Sequence, residues 1–438
     1  SGVTAEALPA TLERLWEWQL PAVQPAFPYE ARLQFDTCYE PVAGGGKVIF
    51  GSPQDGSVRC LDAATGAESW RFLTGGPVRL APVLWQGRVI AGSDDGWLYC
   101  LQATDGALQW SCRLAPADRP DLRHLGSNRL ISPWPVRGGP VLVDGVVYVG
   151  SGVWPTMGVF LWAIDAANGR VIWCNDRANW IAGVRIDHNG TRDMGLTPCG
   201  YLAVSGDRLV VPNGRAHPAG LNRADGQLIY YVQGYRNGHC RVALSGVYAF
   251  VGKTGLVSLR DFREVASRWA AAGAAAAAAF DGAKVDLFEG PFIDYKSVPA
   301  CDAFSVFADE RAYGLHNGVF YAYDLKRAAL SEHTVERPTG VLHPYRWDAP
   351  VLWRKGTPLS GKPGRTVIKA GPRLYGSAGT ALMALDLSGP DGRPGEVGWQ
   401  VDLGQPAESL VAAEGRLLVA TRQGKLVCFG AATGTAPR

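Results

Sequence analysis

The chain has 438 residues, of which 47% are hydrophobic and 19% charged, values typical of a folded protein with a large core. Its formal net charge of +3 gives no indication of nucleic-acid binding. No apolar run approaches the ~20 residues that a membrane-spanning helix needs. We therefore expect neither a nucleic-acid partner nor a membrane-spanning segment.

The first predicted element is a strand within residues 9–20, PATLERLWEWQL, which no related stretch precedes. Residues 47–70 and 88–110 then share one pattern. Each has an alternating apolar run, a Gly-Ser turn, a second run that contains a cysteine, an Asp-Gly or Thr-Gly turn, and a closing tryptophan. With an apolar strand just upstream, such as residues 81–85, each unit predicts four short antiparallel strands.

The units repeat at a fixed interval. Trp70 and Trp110 are 40 residues apart, and so are Cys60 and Cys100. A period near 40 with four strands per unit is typical of a β-propeller blade. Because one such sheet cannot bury both of its faces alone, the units are expected to stack around an axis.

Further units follow along the chain, and they are Gly145–Trp173, Tyr201–Tyr231, Ser245–Arg260, Phe304–Ala328, Thr366–Trp399 and Gly415–Gly434. We favour eight units, with seven as the alternative because the unit at 245–260 is weak. The last unit stops where its fourth strand is due. We therefore predict that the N-terminal strand completes it, which removes exposed sheet edges. The whole chain, 1–438, is then a single all-β propeller domain.

One stretch breaks the pattern. Residues 262–280, FREVASRWAAAGAAAAAAF, are alanine-rich and show no β-alternation. Alanine is the best helix former, so we predict an inserted helix here, with a linker as the alternative.

Some repeated residues are predicted to be structural. Cys60, Cys100 and Cys428 occupy the same place in three units, where a small buried slot explains them. No CxxC spacing indicates zinc. The closing tryptophans are predicted to pack between neighbouring units, and they are Trp70, Trp110, Trp173 and Trp399.

The units of the form GSxxDGxxxCLDAATGxxxW resemble the PQQ-like repeat of quinoprotein-type propellers. Longer runs, such as RLISPWPVRGGPVLVDGVVYVGSG, resemble a group of large planctomycete PQQ-binding-like repeat proteins. The resemblance implies a β-propeller in the periplasm or outside the cell. Other propellers with this repeat are scaffolds, such as the lipoprotein of the outer-membrane assembly machinery.

In the true quinoprotein dehydrogenases, the quinone lies against a disulfide of two adjacent cysteines, beside a calcium ion held by Glu, Asn and Asp. This sequence has no adjacent cysteine pair. The resemblance therefore argues for the fold and not for bound PQQ, and the cofactor is left open.

In a chain of antiparallel four-stranded units, each turn lies on one of two sides, and the long insertions of this sequence are predicted to share one side. The turns between second and third strands share this side with the links to the next unit, and the links are 111–139, 174–200, 232–244, 288–303 and 335–349. We call it the long-loop face. Long loops on a rigid scaffold commonly carry function.

The candidate site residues lie in these loops or just before first strands. A small sugar-like or anionic ligand would be bound by Arg79, Arg137, Trp154, Arg215 and Asp348, because arginine pairs with anions and tryptophan offers a flat apolar surface. A metal ion would be held by His188, His217, His239 and His316. The alternatives are an inter-unit salt bridge for Arg79 and Arg137, and ordinary loop positions for the histidines.

Two functional hypotheses remain open. The first is a module that binds a protein partner or a small sugar or anion through the long-loop face, as one part of a larger protein or complex. The second is an enzyme on that face, metal-assisted or quinoprotein-like, that acts on a sugar or anionic substrate. Convergence of three of the histidines, or of an acid–base pair, would favour the enzyme.

Overall fold

The computed structural model describes residues 2–30, 33–126, 128–186, 190–214, 216–231, 239–251, 255–260, 264–267, 306–332, 335–337, 340–342, 345–348, 350–387, 389 and 392–431. These residues are almost entirely strands and turns, with one single-turn 3-10 helix at Pro155–Met157 and no α-helix. Over the same ranges, no helix is long and apolar enough to cross a bilayer.

Eight sheets of four or five strands follow one another in the described chain, and we number them 1 to 8. The first three correspond to the clearest sequence units. Sheet 1 contains β3 (Pro41–Gly44), β4 (Lys47–Ser52), β5 (Ser57–Asp62) and β6 (Glu68–Leu73). Sheet 2 contains β7 (Val83–Trp85), β8 (Arg88–Gly92), β9 (Trp97–Gln102) and β10 (Leu108–Arg113). Sheet 3 contains β13 (Val136–Val143), β14 (Val146–Ser151), β15 (Phe160–Asp165) and β16 (Val171–Asn175), with β19 (Gly200–Tyr201) parallel to β13.

The weaker units also form four-stranded sheets. Sheet 4 contains β20 (Ala203–Ser205), β21 (Arg208–Asn213), β22 (Ala216–Asn222) and β23 (Leu228–Tyr230). Sheet 5 contains β24 (Val242–Ser245), β25 (Tyr248–Val251), β26 (Gly255–Ser258) and β27 (Glu264–Ser267). Sheet 6 contains β28 (Val306–Ala308), β29 (Arg311–His316), β30 (Val319–Asp324) and β35 (Val351–Gly356).

The last two sheets include N-terminal strands. Sheet 7 contains β36 (Gly364–Ala370), β37 (Arg373–Ala378), β38 (Ala381–Asp386) and β39 (Val397–Asp402), with β1 (Val3–Thr4) parallel to β36. Sheet 8 contains β40 (Ala407–Ala413), β41 (Arg416–Thr421), β42 (Lys425–Gly430) and β2 (Glu13–Gln19). Strand β2 is antiparallel to β42 and is the fourth strand of this sheet.

Neighbouring sheets meet through their first strands. The contacts run from β3 to β7, β13, β20, β24, β28, β36 and β40 in turn, and β40 contacts β3 again. Apolar residues of facing sheets form the core between them, as where Tyr375 and Leu382 of sheet 7 meet Leu410 and Phe429 of sheet 8.

The closing tryptophans pack between sheets, which confirms their predicted role. The indole Nε1 of Trp70 donates to the carbonyl of Ala103 in the next sheet at 3.0 Å, and Trp110 donates to Ala166 at 3.2 Å. Trp173 and Trp399 make the corresponding bonds to Arg223 and Leu12, at 3.1 and 2.8 Å.

Two-stranded hairpins extend from the sheets. They are β11 (His124–Gly126) with β12 (Arg129–Ile131), β17 (Ile181–Ile186) with β18 (Gly190–Met194), β31 (Ala329–Glu332) with β34 (Tyr345–Asp348), and β32 (Val335–Arg337) with β33 (Gly340–Leu342). The first two lie in links between sheets, on the long-loop face. The last two lie between the third and fourth strands of sheet 6.

Two predictions need correction. The interval 335–349 is not a link between units, because β35, after it, is the strand that pairs with β30. The insertion therefore belongs to the side opposite the long-loop face. The predicted helix is wrong at Glu264–Ser267, which pair as a strand with β26 because tertiary pairing overrides local preference. The remaining predicted helical residues, 262–263 and 268–280, lie outside the described residues.

The tryptophan contacts require a glycine at the turn that each ring packs against. Gly106 has φ +75°, and a Cβ there would lie 2.7 Å from the Trp70 ring. Gly87 has a similar φ of +73° but nothing within 4 Å of the corresponding position. Alanine substitutions at Gly106 and at Gly87 can therefore be compared to separate the cost of backbone strain from the cost of overpacking.

We expect Gly106→Ala to lower the free energy of unfolding by about 1–3 kcal/mol more than Gly87→Ala. Both substitutions pay a left-handed penalty of about 1–2 kcal/mol, but only the first overpacks a tryptophan. Urea denaturation followed by tryptophan fluorescence measures both. Equal losses would contradict the packing account.

Candidate functional site

Residues 20–30 and 33–40, between β2 and β3, lie on the long-loop face. Leu20 and Val23 donate main-chain hydrogen bonds to sheet 8, at the carbonyls of Gly424 and Arg422. Further along, Phe35 packs in one buried cluster with residues of the links before sheets 2, 4 and 5, namely Leu80, Cys199 and Cys240. Because the link before sheet 2 is not a neighbour of the links before sheets 4 and 5, Phe35 bridges distant parts of the face with an apolar side chain.

A buried ion-pair network fixes this segment. Arg79 donates from Nε to Asp94 and from Nη1 to Asp36, both at 2.7 Å, and Arg137 donates from Nη2 to Asp94 at 2.9 Å. Asp36 also accepts the main-chain N–H of Ala26 at 3.0 Å. The network thus links the N-terminal segment to sheets 2 and 3.

The two arginines differ in their electrostatic balance. Burial alone would lower the pKa of Arg79, but the charges of Asp94 and Asp36 outweigh it and raise that pKa. Burial lowers the pKa of Arg137, and Arg79 adds to this by repulsion while Asp94 opposes it. The rings of Phe27 and Phe35 lie 5.7 and 5.9 Å from the Arg137 guanidinium carbon. These aromatic faces offset part of the cost of burying the cation.

The candidate ligand residues are therefore placed very differently. Arg79 and Arg137 are buried against protein carboxylates, which is the salt-bridge alternative that the sequence left open. Trp154 is exposed, at the start of the 3-10 helix. Arg215 lies outside the described residues. Asp348 lies in β34, within the sheet 6 insertion, and only its backbone is described. A ligand role for these five residues stays a prediction.

Two of the four candidate metal ligands, His239 and His316, have described side chains, and they lie in different parts of the fold. His239 Nδ1 accepts the main-chain N–H of Arg241 at 3.1 Å, whereas His316 lies at the end of β29 with Nε2 3.1 Å from the Asn317 amide. His217 lies in β22 and only its backbone is described, and His188 is outside the described residues. Among the residues whose positions are given, no three His, Cys, Asp or Glu side chains gather as metal ligands would. Metal binding stays a prediction.

The repeated cysteines occupy the predicted slots. Cys60, Cys100 and Cys428 are fully buried and pair across the sheet with Trp70, Trp110 and Trp16. Burial raises the pKa of Cys60 and Cys100 to about 11. These protonated, enclosed thiols are structural rather than reactive.

The long-loop face exposes large apolar side chains in two regions. In the link between sheets 2 and 3, Leu125 and Leu130 are 74% and 65% exposed. Beside sheet 3, Trp154 and Trp180 are 54% and 68% exposed. The loops that carry the two tryptophans touch each other, because Gly195 lies against both Pro155 and Asn179.

The sequence profile of a family built on the PQQ-type repeat matches residues 9–173, 54–329 and 384–436, more than half of the chain, and its description is outer membrane protein assembly factor BamB. The chain belongs to this family of PQQ-like repeat proteins.

Curated relatives match a smaller part of the chain. The dehydrogenase subunits of quinone alcohol dehydrogenases from Komagataeibacter europaeus and Gluconobacter oxydans are each 30% identical over 139 residues. The match covers 29% of this chain and only 18% and 17% of theirs. The match therefore shows that the repeats are related. The activity printed for those enzymes is a property of those enzymes.

Solved structures share the fold. Quinohemoprotein alcohol dehydrogenase from Comamonas testosteroni superimposes with a TM-score of 0.55 at 16% identity, covering 98% of this chain and 77% of that one. The computationally designed Ika8 protein gives 0.56 at 11% identity, covering 97% and 100%. The PQQ-like repeat chain is thus an all-β protein of the β-propeller type.

Sequence reasoning missed two parts of this face. Asp36, Phe27 and Phe35 lie in the segment before the first complete unit, where no repeat position indicates a role. Their only signal is a long link rich in aromatic residues. The β11–β12 hairpin had a clearer signal, because HLGSNRLI places apolar residues on both sides of a Ser-Asn turn.

The central network gives a stability prediction. Asp36→Ala leaves the Arg79 guanidinium buried without one of its carboxylates, and removing one partner of a buried pair costs about 3–5 kcal/mol. We expect that loss in the free energy of unfolding by urea titration, with faster proteolysis of the segment between residues 23 and 36.

The matched control is Asp207→Ala, which removes an exposed ion pair with Arg208. Exposed pairs contribute about 0–1 kcal/mol, so this variant stays close to the parent. The assignment would be overturned if the two variants lost the same stability.

Proposed function

We propose that this protein is a β-propeller scaffold that binds a protein partner through the long-loop face. The observation that carries the proposal is the exposure of Leu125, Leu130, Trp154 and Trp180 on loops of one face. The link that carries the leucines touches the loop of Trp154, because Trp134 Nε1 donates to the carbonyl of Met157. Soluble proteins rarely expose contiguous apolar patches unless they bind something, and aromatic side chains are enriched where partners dock. The family description, an assembly factor, supports the same class of function.

The structure at the centre of the long-loop face supports binding at the outer loops rather than in an open central site. Residues 20–30 and 33–40 lie there, and the two candidate arginines already hold Asp36 and Asp94. A partner would meet the outer loops of sheets 2 and 3 first. The description of the family as outer membrane assembly factors supports a location in the cell envelope, outside the cytoplasm.

We further propose that the eight sheets are the blades of one closed ring, and that the N-terminal strand closes the ring by completing the last blade. The support is the round of first-strand contacts and the pairing of β2 with β42. In addition, Trp16 donates to the carbonyl of Ala63 in sheet 1 at 3.0 Å, as each closing tryptophan does to its neighbour.

If the ring closes in this way, Trp16→Ala and Trp70→Ala should lower the free energy of unfolding equally, by about 3–5 kcal/mol each. Trp154→Ala, at an exposed position, should change it by less than about 0.5 kcal/mol. Chemical denaturation monitored by circular dichroism measures all three. A neutral Trp16→Ala would show that the ring does not depend on its N-terminal strand.

Partner binding is tested by site-specific photo-crosslinking in cells of the native source. A benzophenone amino acid is placed at Trp180, or at Leu73 on the outer strand β6 as a control of matched exposure, 68% against 66%. We expect a discrete protein adduct at position 180 and none at 73. Adducts at neither position, or equally at both, would overturn the proposal.

A further inference from the structure

The β11–β12 hairpin stands apart from the eight large sheets. Its two strands pair only with each other, with His124 opposite Ile131, Leu125 opposite Leu130 and Gly126 opposite Arg129. It belongs to the link between sheets 2 and 3 and reaches toward sheet 1, where Arg129 Nη2 donates to Gln54 at 3.0 Å. The hairpin is therefore anchored, and no strand of the described chain pairs with either of its long edges.

The register fixes which main-chain groups point outward. Two residues connect Gly126 to Arg129, so this pair closes the hairpin with its own hydrogen bonds. Bonded and non-bonded pairs alternate along an antiparallel ladder, so Leu125 and Leu130 form the non-bonded pair. Their N–H and C=O groups face away from each other, and no other residue of the described chain bonds to them.

The same two residues carry the exposed apolar side chains. Directly opposed residues of an antiparallel pair lie on one face of the ribbon, so Leu125 and Leu130 form a single apolar surface. Leu122, just before the hairpin, is exposed as well. One short ribbon thus offers both unpaired main-chain groups and a pair of leucines.

The charge of the hairpin is of one sign. Residues 122–131 contain Arg123, His124 and Arg129 and no acidic residue. Arg129 is held by a neutral amide, while Arg123 pairs with Asp121 at 2.7 Å. A binding segment with carboxylates beside its apolar residues would complement this surface.

We propose that the β11–β12 hairpin is a strand acceptor for the partner, and that it binds an extended segment of alternating apolar and acidic residues. Main-chain hydrogen bonds to the open edge would supply affinity, and the leucine pair and basic side chains would select the sequence. This inference deepens the proposed function and rests on it.

A synthetic peptide tests the chemistry directly. The probe is a fluorescein-labelled, amidated peptide of alternating glutamate and valine, and its counterpart has lysine in place of glutamate. Fluorescence polarisation should show the acidic peptide binding the full chain at least about tenfold more tightly than the basic one. Equal binding of the two peptides would overturn the charge complementarity.

The contribution of the two leucines to binding is tested by replacing both with aspartate. The double variant Leu125→Asp with Leu130→Asp should weaken binding of the acidic peptide by at least about tenfold, because burial of two leucine side chains is lost. The control is Leu73→Asp, whose leucine is as exposed as Leu130 but lies on sheet 1. Unchanged binding in the double variant would overturn the proposed site.

Strand addition is separated from simple apolar contact by comparing proline with alanine. Leu125→Ala and Leu125→Pro both remove the side chain, but only proline also removes an outward N–H, and no ladder bond of the hairpin is lost. The pair Leu130→Ala and Leu130→Pro examines the other edge. We expect one proline variant to bind at least about fivefold more weakly than its alanine counterpart.

If neither proline variant binds more weakly than its alanine counterpart, strand addition is wrong. The proposed function then survives provided that crosslinking at Trp180 still gives its adduct. If the adduct is absent while the peptide behaves as expected, the hairpin is a strand acceptor and the proposed protein partner is wrong. Circular dichroism of each variant checks that the eight sheets are intact.

Discussion

The docking of a tryptophan from one sheet onto the glycine turn of the next is the contact on which the rest of the structure depends. Trp16, Trp70, Trp110 and Trp173 each lie against a left-handed glycine, and a Cβ on that glycine would meet the ring. The same indole donates to a carbonyl in the neighbouring sheet. Each contact therefore fixes both the spacing and the orientation of adjacent sheets.

The repeats alone do not determine what occupies the middle of the long-loop face. The segment around Phe35 and Asp36 does so, because Asp36 supplies a carboxylate to Arg79 and Phe35 packs with the links before sheets 2, 4 and 5. The arginines that look suited to an external anion are committed to internal carboxylates. The exposed leucines and tryptophans of this face lie instead on the loops of sheets 2 and 3.

Sheet 6 shows how an insertion changes the placement of candidate residues. Its fourth strand, β35, comes only after two hairpins, so the strands β31 to β34 belong to the side opposite the long-loop face. The sequence shows polar and aromatic residues there but not which two strands they separate. The sequence therefore places Asp348 in a link on the long-loop face, whereas β34, which contains it, belongs to the insertion in sheet 6.

The sequence by itself determined the repeat, the four-stranded unit, the buried cysteines and the tryptophans between units. All of these follow from local alternation and a fixed period, which each unit carries on its own. Only the tertiary structure decided which charged residues pair with each other and which apolar side chains stay exposed. Arg79 and Asp36 are far apart in the chain, and Leu125 differs from a core leucine only in having no sheet above it. Both outcomes depend on contacts between distant segments, which no local pattern encodes.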